Sequence, residues 1–469
     1  MILVDTIYKL EKAKEKILNA NVLGVDIETF DYKKKDFGTI RLVQVAVDDE
    51  VYVFDLLKVP LPDYLKEVFE SKEKTKVFHF GFFDMSHLIK KYGCRFENTF
   101  CTLNGTKVLS CGLNVKYSLK NVAKMFLGEE IDKTEQQSDW GGELTESQIA
   151  YASKDASILL RLYRVQSEYI EKKKLRKIVN LENAIQRIDA FNFSERFFPE
   201  SERVEKALKE IEENYFRGLN FKEIEKAKRI PQVLKEKREE YLFLTKLKEK
   251  GFYPQFRSRW NTNGFFYQRN YSEGIKDYFE GVKIVKFFNL ELPAIHANAR
   301  DFKSVELYSS EDFFNTRDFL LLKAIGLRDT DLMAEYSHLV NDFRDKIPGI
   351  IRWHKKMFSL LAERKPVRVA SGKIIHTKNY LIEYKEGRDK EIRDREGFIS
   401  FLVDATVSDF IKGFVALLEK SGARVLQVDS RKNCVEVLNC DNKTIENAIQ
   451  KASNLFFKEK LFPHFYSIE

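Results

Sequence analysis

Between residues 22 and 55 the chain runs through short apolar stretches. VLGVDIE (22–28), IRLVQVAV (40–47) and VYVFD (51–55) are rich in Val and Ile and read as strands. Apolar residues at helical spacing over 7–19, 63–71, 84–92 and 146–165 place helices around them. Three strands in close succession between helices predict a mixed sheet in an α/β layered domain over 1–165. From 166 to 250 the pattern turns long, charged and helical, in EKALKEIEENYF and EIEKAKRIPQVLKEKREEYLFLTKLKEKG. Pro231 is expected to kink or split the second of these. Most of the charges suit a solvated helix face. Beyond 251 aromatic and basic residues mix in FYPQFRSRWNTNGFFYQRNY. SDFIKGFVALLEKSG then reads as a helix stopped at Gly422, RVLQVD as a strand and 443–458 as a last helix. No internal repeat is visible.

Composition narrows the class. With 469 residues the chain has room for two or three domains, and 43% hydrophobic residues exclude disorder as its main theme. A net charge of +8 is compatible with a nucleic-acid partner without demonstrating one. The five cysteines (94, 101, 111, 434, 440) form no CxxC pair, so neither a disulfide framework nor a zinc ribbon is expected, and a cytoplasmic location fits best. No apolar run reaches a membrane span, and the charged amphipathic start is not a signal peptide.

Chemistry concentrates in the first third. Asp26 and Glu28 end a predicted buried strand, and alternation puts them on one face. Two carboxylates so placed repel unless a cation lies between them, and a hard ion such as Mg²⁺ or Mn²⁺ suits oxygen donors. Asp84 follows the apolar stretch His79-Phe80-Gly81-Phe82-Phe83 where a strand meets a helix; it reads equally as a helix N-cap or as a further acid. Tyr151 and Asp155 are four apart on an otherwise apolar helix, so phenol and carboxylate share a face. Four carboxylates and a tyrosine in one domain could surround two divalent ions, activating a water and stabilising the leaving oxygen of a phosphodiester.

The order DIET, FD, YxxxD resembles the DEDDy 3′–5′ exonucleases. That family includes ribonuclease D, the Werner exonuclease and the proofreading domain of family A DNA polymerases, on a ribonuclease H-like (DnaQ-like) fold. KYSLKNVAKMFLGEEIDKTEQQSDWGGELTESQIAYASKDASILLRLY is similar to the ribonuclease D stretch leading to the last motif. The resemblance spans 1–165. It implies Asp26, Glu28, Asp84 and Asp155 as metal-binding carboxylates for two Mg²⁺ or Mn²⁺ ions, with Tyr151 placing the attacking water. Phe80 stands where the family usually carries Asn, which bears on how the terminal nucleotide is handled. Phe30 could stack on a base or join the core. The Lys33-Lys34-Lys35 run could contact phosphates or form a solvated loop.

The remainder resembles, more faintly, the polymerase part of family A DNA polymerases. LENAIQRIDAFNF and FRGLNFKEIEKA look like the start of a thumb, and VDATVSDFIKGFVALLEKSGARVLQVDSRKNCVEV like a palm helix and strand. The expected division is a helical thumb-like region at 166–300 and a palm-like α+β remnant at 301–469. Polymerase chemistry needs two palm carboxylates. Asp312 is the candidate for the first, and the second site reads Asp429-Ser430-Arg431. The residues from 327 to 347 leave little room for a normal fingers subdomain. Arg257, Arg259, Trp260, Tyr267 and Arg269 form a basic-aromatic stretch suited to phosphates, or a core. The expected function is therefore a metal-dependent 3′–5′ exonuclease acting on nucleic acid, DNA first, whose polymerase-like half binds DNA without extending it. The alternatives are a working family A polymerase with proofreading, or a non-catalytic nucleic-acid- or partner-binding protein.

Overall fold

The computed structural model describes the chain except residues 32–36, 114, 132–134, 136–137, 218–230, 253–255, 262–263, 270–273, 302–304, 306, 309, 378–394 and 430–432. For 256–261, 264–269, 330, 395 and 396 it describes the backbone alone.

The strands are β1 (Ile2–Val4), β2 (Val22–Phe30), β3 (Thr39–Val47), β4 (Glu50–Asp55), β5 (Thr75–Phe78), β6 (Thr99–Cys101), β7 (Phe256–Asn261), β8 (Gly264–Arg269), β9 (Val282–Phe287), β10 (Val367–Arg368), β11 (Ile374–Ile375), β12 (Arg424–Asp429), β13 (Cys434–Leu438) and β14 (Tyr466–Ile468). The helices are α1 (Ile7–Asn19), α2 (Asp63–Glu70), α3 (Phe82–Tyr92), α4 (Thr102–Leu109), α5 (Leu119–Leu127), α6 (Glu146–Lys172), α7 (Arg176–Glu195), α8 (Ser201–Tyr215), α9 (Gln232–Lys250), α10 (Glu291–Ala299), α11 (Arg317–Leu327), α12 (Thr330–Glu335), α13 (Ser337–Arg344), α14 (Pro348–Ala362), α15 (Arg395–Lys420) and α16 (Asn442–Phe456).

The first six strands form one mixed sheet in the order β1-β4-β3-β2-β5-β6. β3 runs antiparallel to β2 and β4, whereas β5 runs parallel to β2 and β6. Period-two alternation in β2 gives its two faces different neighbours. Leu23, Val25 and Ile27 pack with the apolar sides of α1, α2 and α3. Gly24 turns to the opposite face, where α6 lies on the sheet. A Cβ on Gly24 would meet the Ala156 carbonyl oxygen at 2.5 Å, so only glycine lets helix and strand come this close. The result is a three-layer helix–sheet–helix unit.

α6 starts on a capping box. The Thr145 hydroxyl accepts from the Gln148 N–H at 3.2 Å, and the Gln148 side chain accepts from the Thr145 N–H at 3.0 Å. The Gln148 amide also donates to the Asp139 carbonyl at 3.0 Å, tying the loop that carries Trp140 to the helix.

The second sheet is fully antiparallel, in the order β14-β9-β13-β12-β8-β7. Its core is built with α15 and α16. This sheet crosses residue 300, the expected border between thumb-like and palm-like parts, because β7, β8 and β9 pair with strands from the far end of the chain. Hydrogen bonding between distant segments sets that border, and local pattern does not report it. Pro231 directly precedes α9. Residues 327–347 hold only the short helices α12 and α13 with their connections. Among the described residues no helix is long and apolar enough to cross a membrane.

α7 joins the two halves, packing against α3 on one side and α15 on the other. Asn183 on α7 accepts from the Cys101 N–H at 3.2 Å and the Asn104 amide at 3.1 Å. Beside it, Glu182 takes the Lys412 ammonium of α15 at 2.6 Å. A second ion pair, Lys373 with Asp409 at 2.6 Å, is fully buried. Burial pushes the Glu182 carboxyl up, but Lys412 and Lys373 outweigh it and hold the group below its ordinary value.

A depressed carboxylate contributes stability above its unfolded value that is lost as pH falls through the folded one. The protein is therefore expected to lose stability as pH drops below about 4, through this group among others. Lys412→Met leaves a buried charge unpaired and should cost about 3–5 kcal/mol. Adding Glu182→Leu should restore most of that loss. Urea denaturation of wild type, single and double variants checks both; equal stability of the two variants would show that the pair is not coupled.

Candidate active site

β2 brings Asp26 and Glu28 to the face that α6 covers, two and four residues beyond Gly24. A register shift between Glu28 and Thr29 interrupts the β2–β3 ladder just after the second acid, and pairing resumes at Thr29. α6 supplies Tyr151 and Asp155, one turn apart. Asp155 is buried and Tyr151 half-buried. The Tyr151 hydroxyl donates to the Asp155 carboxylate. Burial pushes the phenol far above its ordinary value, and the charges of Asp155, Glu28 and Asp26 push it further. Three carboxylates from two elements thus bear on one hydroxyl.

Asp84 reaches the site from the other layer. It lies in the first turn of α3 and is 4% exposed. The β2–β5 ladder ends at Gly24 and Val77, and the Asp84 carboxylate accepts the Ile27 N–H beyond that end. Burial first, then the charge of Asp26, raises its carboxyl well above the usual carboxylate range, against the pull of the backbone N–H groups. The structure therefore brings together all five residues singled out in the first domain.

Sequence reading missed two further polar groups here. Gln44 on β3 stands directly opposite Asp26 in the antiparallel register and is fully buried, yet neither amide atom has a hydrogen-bond partner. Trp140 is buried with its indole N–H unpartnered, its ring 6.3 Å from that of Tyr151. A buried unpaired polar group costs about 1–3 kcal/mol, so two beside the acids mark a place built for something polar. The usable signal for Gln44 was a lone amide inside the apolar run LVQVAV.

The donor set fits a hard divalent cation carrying water. It is all oxygen, its carboxylates repel, and an orphaned amide faces it. Among the described residues no three His, Cys, Asp or Glu side chains are drawn together closely enough to hold an ion by themselves.

The other candidates are placed differently. Phe30 is half-buried in a small cluster with Trp140, Tyr151 and Leu42, and lies against Gly141. Lys33, Lys34 and Lys35 lie outside the described residues, as do Ser430 and Arg431. Arg257, Arg259, Trp260, Tyr267 and Arg269 fall on β7 and β8, where the backbone alone is described. Asp312 is in the 3-10 helix Glu311–Asn315, off the second sheet, whereas Asp429 ends β12.

Desolvation and repulsion at Asp84 make a stability prediction. Asp84→Asn keeps an acceptor for the Ile27 N–H and removes the charge. It should stabilise the protein by about 1 kcal/mol or more in a chelating buffer at neutral pH. Thermal melts of the two proteins check this, and a destabilised variant would place the carboxylate among attractive groups instead.

Residues 1–167 match the family model described as 3′–5′ exonuclease. The chain is 31% identical over 175 residues to the exosome complex exonuclease RRP6 of Saccharomyces cerevisiae, covering 37% of this chain and 23% of that protein. It is also 31% identical over 155 residues to DNA polymerase I of Aquifex aeolicus, covering 33% and 25% of the two chains. The chain thus spans about a quarter of the length of these relatives. In fold, the whole chain is similar to the POL domain of Pol1 from M. smegmatis, solved in complex with DNA primer-template and dNTP. The TM-score is 0.69 at 12% identity, covering 100% of this chain and 98% of that one. The described residues thus take the fold of a polymerase POL domain, and residues 1–167 are similar to the 3′–5′ exonuclease family.

Proposed function

We propose that the protein hydrolyses the terminal phosphodiester at the 3′ end of a nucleic-acid strand, with DNA as its substrate. The observation that carries this is the convergence of Asp155, Glu28 and Asp26 on the Tyr151 hydroxyl, with Asp84 closing the set from α3. Exonuclease families of this fold are generally dependent on divalent metal. Asp26, Glu28, Asp84 and Asp155 would hold two Mg²⁺ or Mn²⁺ ions. When bound, these supply a Lewis acid for the phosphate and lower the pKa of an attached water. The Tyr151 hydroxyl, which donates to the Asp155 carboxylate, would orient the attacking water. Trp140 and the capped start of α6 fix the position of that hydroxyl.

The reading gives the second half a binding role without nucleotide addition. Polymerisation needs two acids close together, and β12 ends on one, Asp429. The neighbouring strand β9, VKIVKF, contains no acid, and Lys286 pairs with Cys434 level with Asp429. Lys286 in turn binds both carboxylate oxygens of Glu469 at 2.7 Å. Two short helices between 327 and 347 leave no long helix to hold a triphosphate. A cytoplasmic role in DNA repair or replication completes the proposal. The five cysteines, free and with four of them buried, support a reducing compartment.

One gel carries the test. Wild type should shorten a single-stranded or frayed 3′ end with Mg²⁺ or Mn²⁺ and stop with a chelator. Asp26→Ala should remove most of this activity. Tyr151→Phe should slow hydrolysis about 10²-fold or more with substrate binding nearly intact. Template-dependent extension by Asp26→Ala, where degradation cannot hide synthesis, would instead establish a proofreading polymerase. Binding with neither activity would establish a non-catalytic protein.

A further inference from the structure

The turn from β5 into α3 carries a side chain that the fold itself does not call for. Phe80 has φ +60°, in the left-handed region. That conformation is costly for a bulky residue, whereas Gly or Asn adopts it readily. Both neighbours are fixed. His79 Nδ1 lies 2.8 Å from the Thr102 hydroxyl, and a Cβ on Gly81 would meet the Cβ of Phe78 at 2.6 Å. The Phe80 carbonyl accepts from the Phe83 N–H at 3.0 Å, bracing the turn that delivers Asp84. The Phe80 ring points outward at 51% exposure, with the ring of Phe82 6.2 Å away and tilted by 45°.

Its place relative to the acids follows from Asp84. The β2–β5 ladder ends at Gly24 and Val77, and beyond that end the Ile27 N–H, between Asp26 and Glu28, goes to the Asp84 carboxylate. Phe80 lies four residues before Asp84, in the turn that leads into α3. An exposed aromatic is thus held in a strained backbone at the rim of the acidic site. Strain of this kind persists only where the surroundings impose it, and it collects at functional sites.

We propose that Phe80 is the stacking platform for the unpaired base at the 3′ end of the substrate. This deepens the exonuclease reading and rests on it. Every base offers a π face, so such a platform accepts any terminal base. It also selects against a paired end, whose base is already stacked and hydrogen-bonded in the duplex. The substrate class is therefore a single-stranded or frayed 3′ terminus, with little dependence on sequence.

The test uses the full-length Asp26→Ala protein and a single-stranded oligodeoxynucleotide ending in 2-aminopurine, whose fluorescence falls on stacking. The protein carrying Phe80 should quench the probe. Phe80→Asn should abolish the quench and weaken binding about ten-fold, the scale of one lost base–aromatic stack. Its melting temperature should rise, because Asn tolerates the left-handed turn. Phe80→Trp should keep quench and affinity. With an abasic 3′ end, the protein carrying Phe80 and the Phe80→Asn variant should bind alike. Undiminished quench and affinity in Phe80→Asn overturn the proposal, as does an equal ten-fold loss on the abasic probe. If the protein without the Asp26 change degrades nothing while the quench persists, the exonuclease reading fails and the platform stands. If it degrades normally and Phe80→Asn leaves KM unchanged, only the platform fails.

Discussion

The arrangement of the molecule depends on a short buried charged strip along α7. Glu182 faces Lys412 at 2.6 Å, and the same interior holds Lys373 against Asp409. Burying four charges is unfavourable, and well-packed apolar side chains of equal volume would hold two surfaces together at least as firmly. What the ions add is direction. An apolar face tolerates sliding by a residue or a turn, whereas a buried lysine must meet its carboxylate or remain uncompensated. Neighbouring amides extend the constraint: Asn183 binds Cys101 and Asn104 of the first half, and Asn192 donates to Glu419 of the second. One helix thus reads both halves and fixes one orientation between them. Because α7 also packs on α3, that orientation is tied to the element that carries Asp84.

The acidic site lowers the stability that the layers around it supply. Gly24 lets α6 settle onto β2, which brings Tyr151 and Asp155 over Asp26 and Glu28. The same close approach excludes water and leaves Gln44 and the Trp140 indole without partners. On the other layer, burial and then the charge of Asp26 raise Asp84. The early end of the β2–β5 ladder is a second concession, since it gives the Ile27 N–H to Asp84 in place of strand pairing. Apolar packing on both faces of the sheet offsets these costs, with β2 alternating between the two cores. A function-bearing face laid on a rigid sheet holds its geometry better than one carried on loops.

Where the chain was legible, local chemistry and long-range packing agreed. β2, β3 and β4 stood out because Val and Ile mark buried strands, and α1, α2, α3 and α6 because their apolar spacing is helical. β1 and β6 went unread; with three residues each, they become strands only through pairing with β4 and β5. Asp26, Glu28, Asp84, Tyr151 and Asp155 were readable as a set because an ordered motif ties them together. Gln44 was not, since its importance lies in a cross-strand register that one strand cannot announce. That the second sheet spans residue 300 was not legible for a related reason: β9 and β13 are far apart in sequence, and their pairing joins the sheet across that position. Asp312 was drawn from a run of residues that looked suitable, but its 3-10 helix lies off that sheet.

Fold and chemistry place different demands on the second half. Its sheet order, its two covering helices and its core can all be kept by residues chosen for volume and apolarity, so a polymerase-type fold is compatible with 12% identity. Metal chemistry has no such latitude, because it needs particular acids at particular heights on adjacent strands. At that height β14, β9, β13 and β12 present Ser467, Lys286, Cys434 and Asp429 side by side. A lysine between them repels cations that an acid would collect, and Glu469 has come to satisfy the lysine. On the proposed reading, this row of one acid and one cation keeps the shape of the surface without collecting a pair of divalent ions. In the first half the unpartnered Gln44 amide and Trp140 indole, the raised Asp84 carboxyl and the left-handed Phe80 gather around one set of acids, although each costs stability.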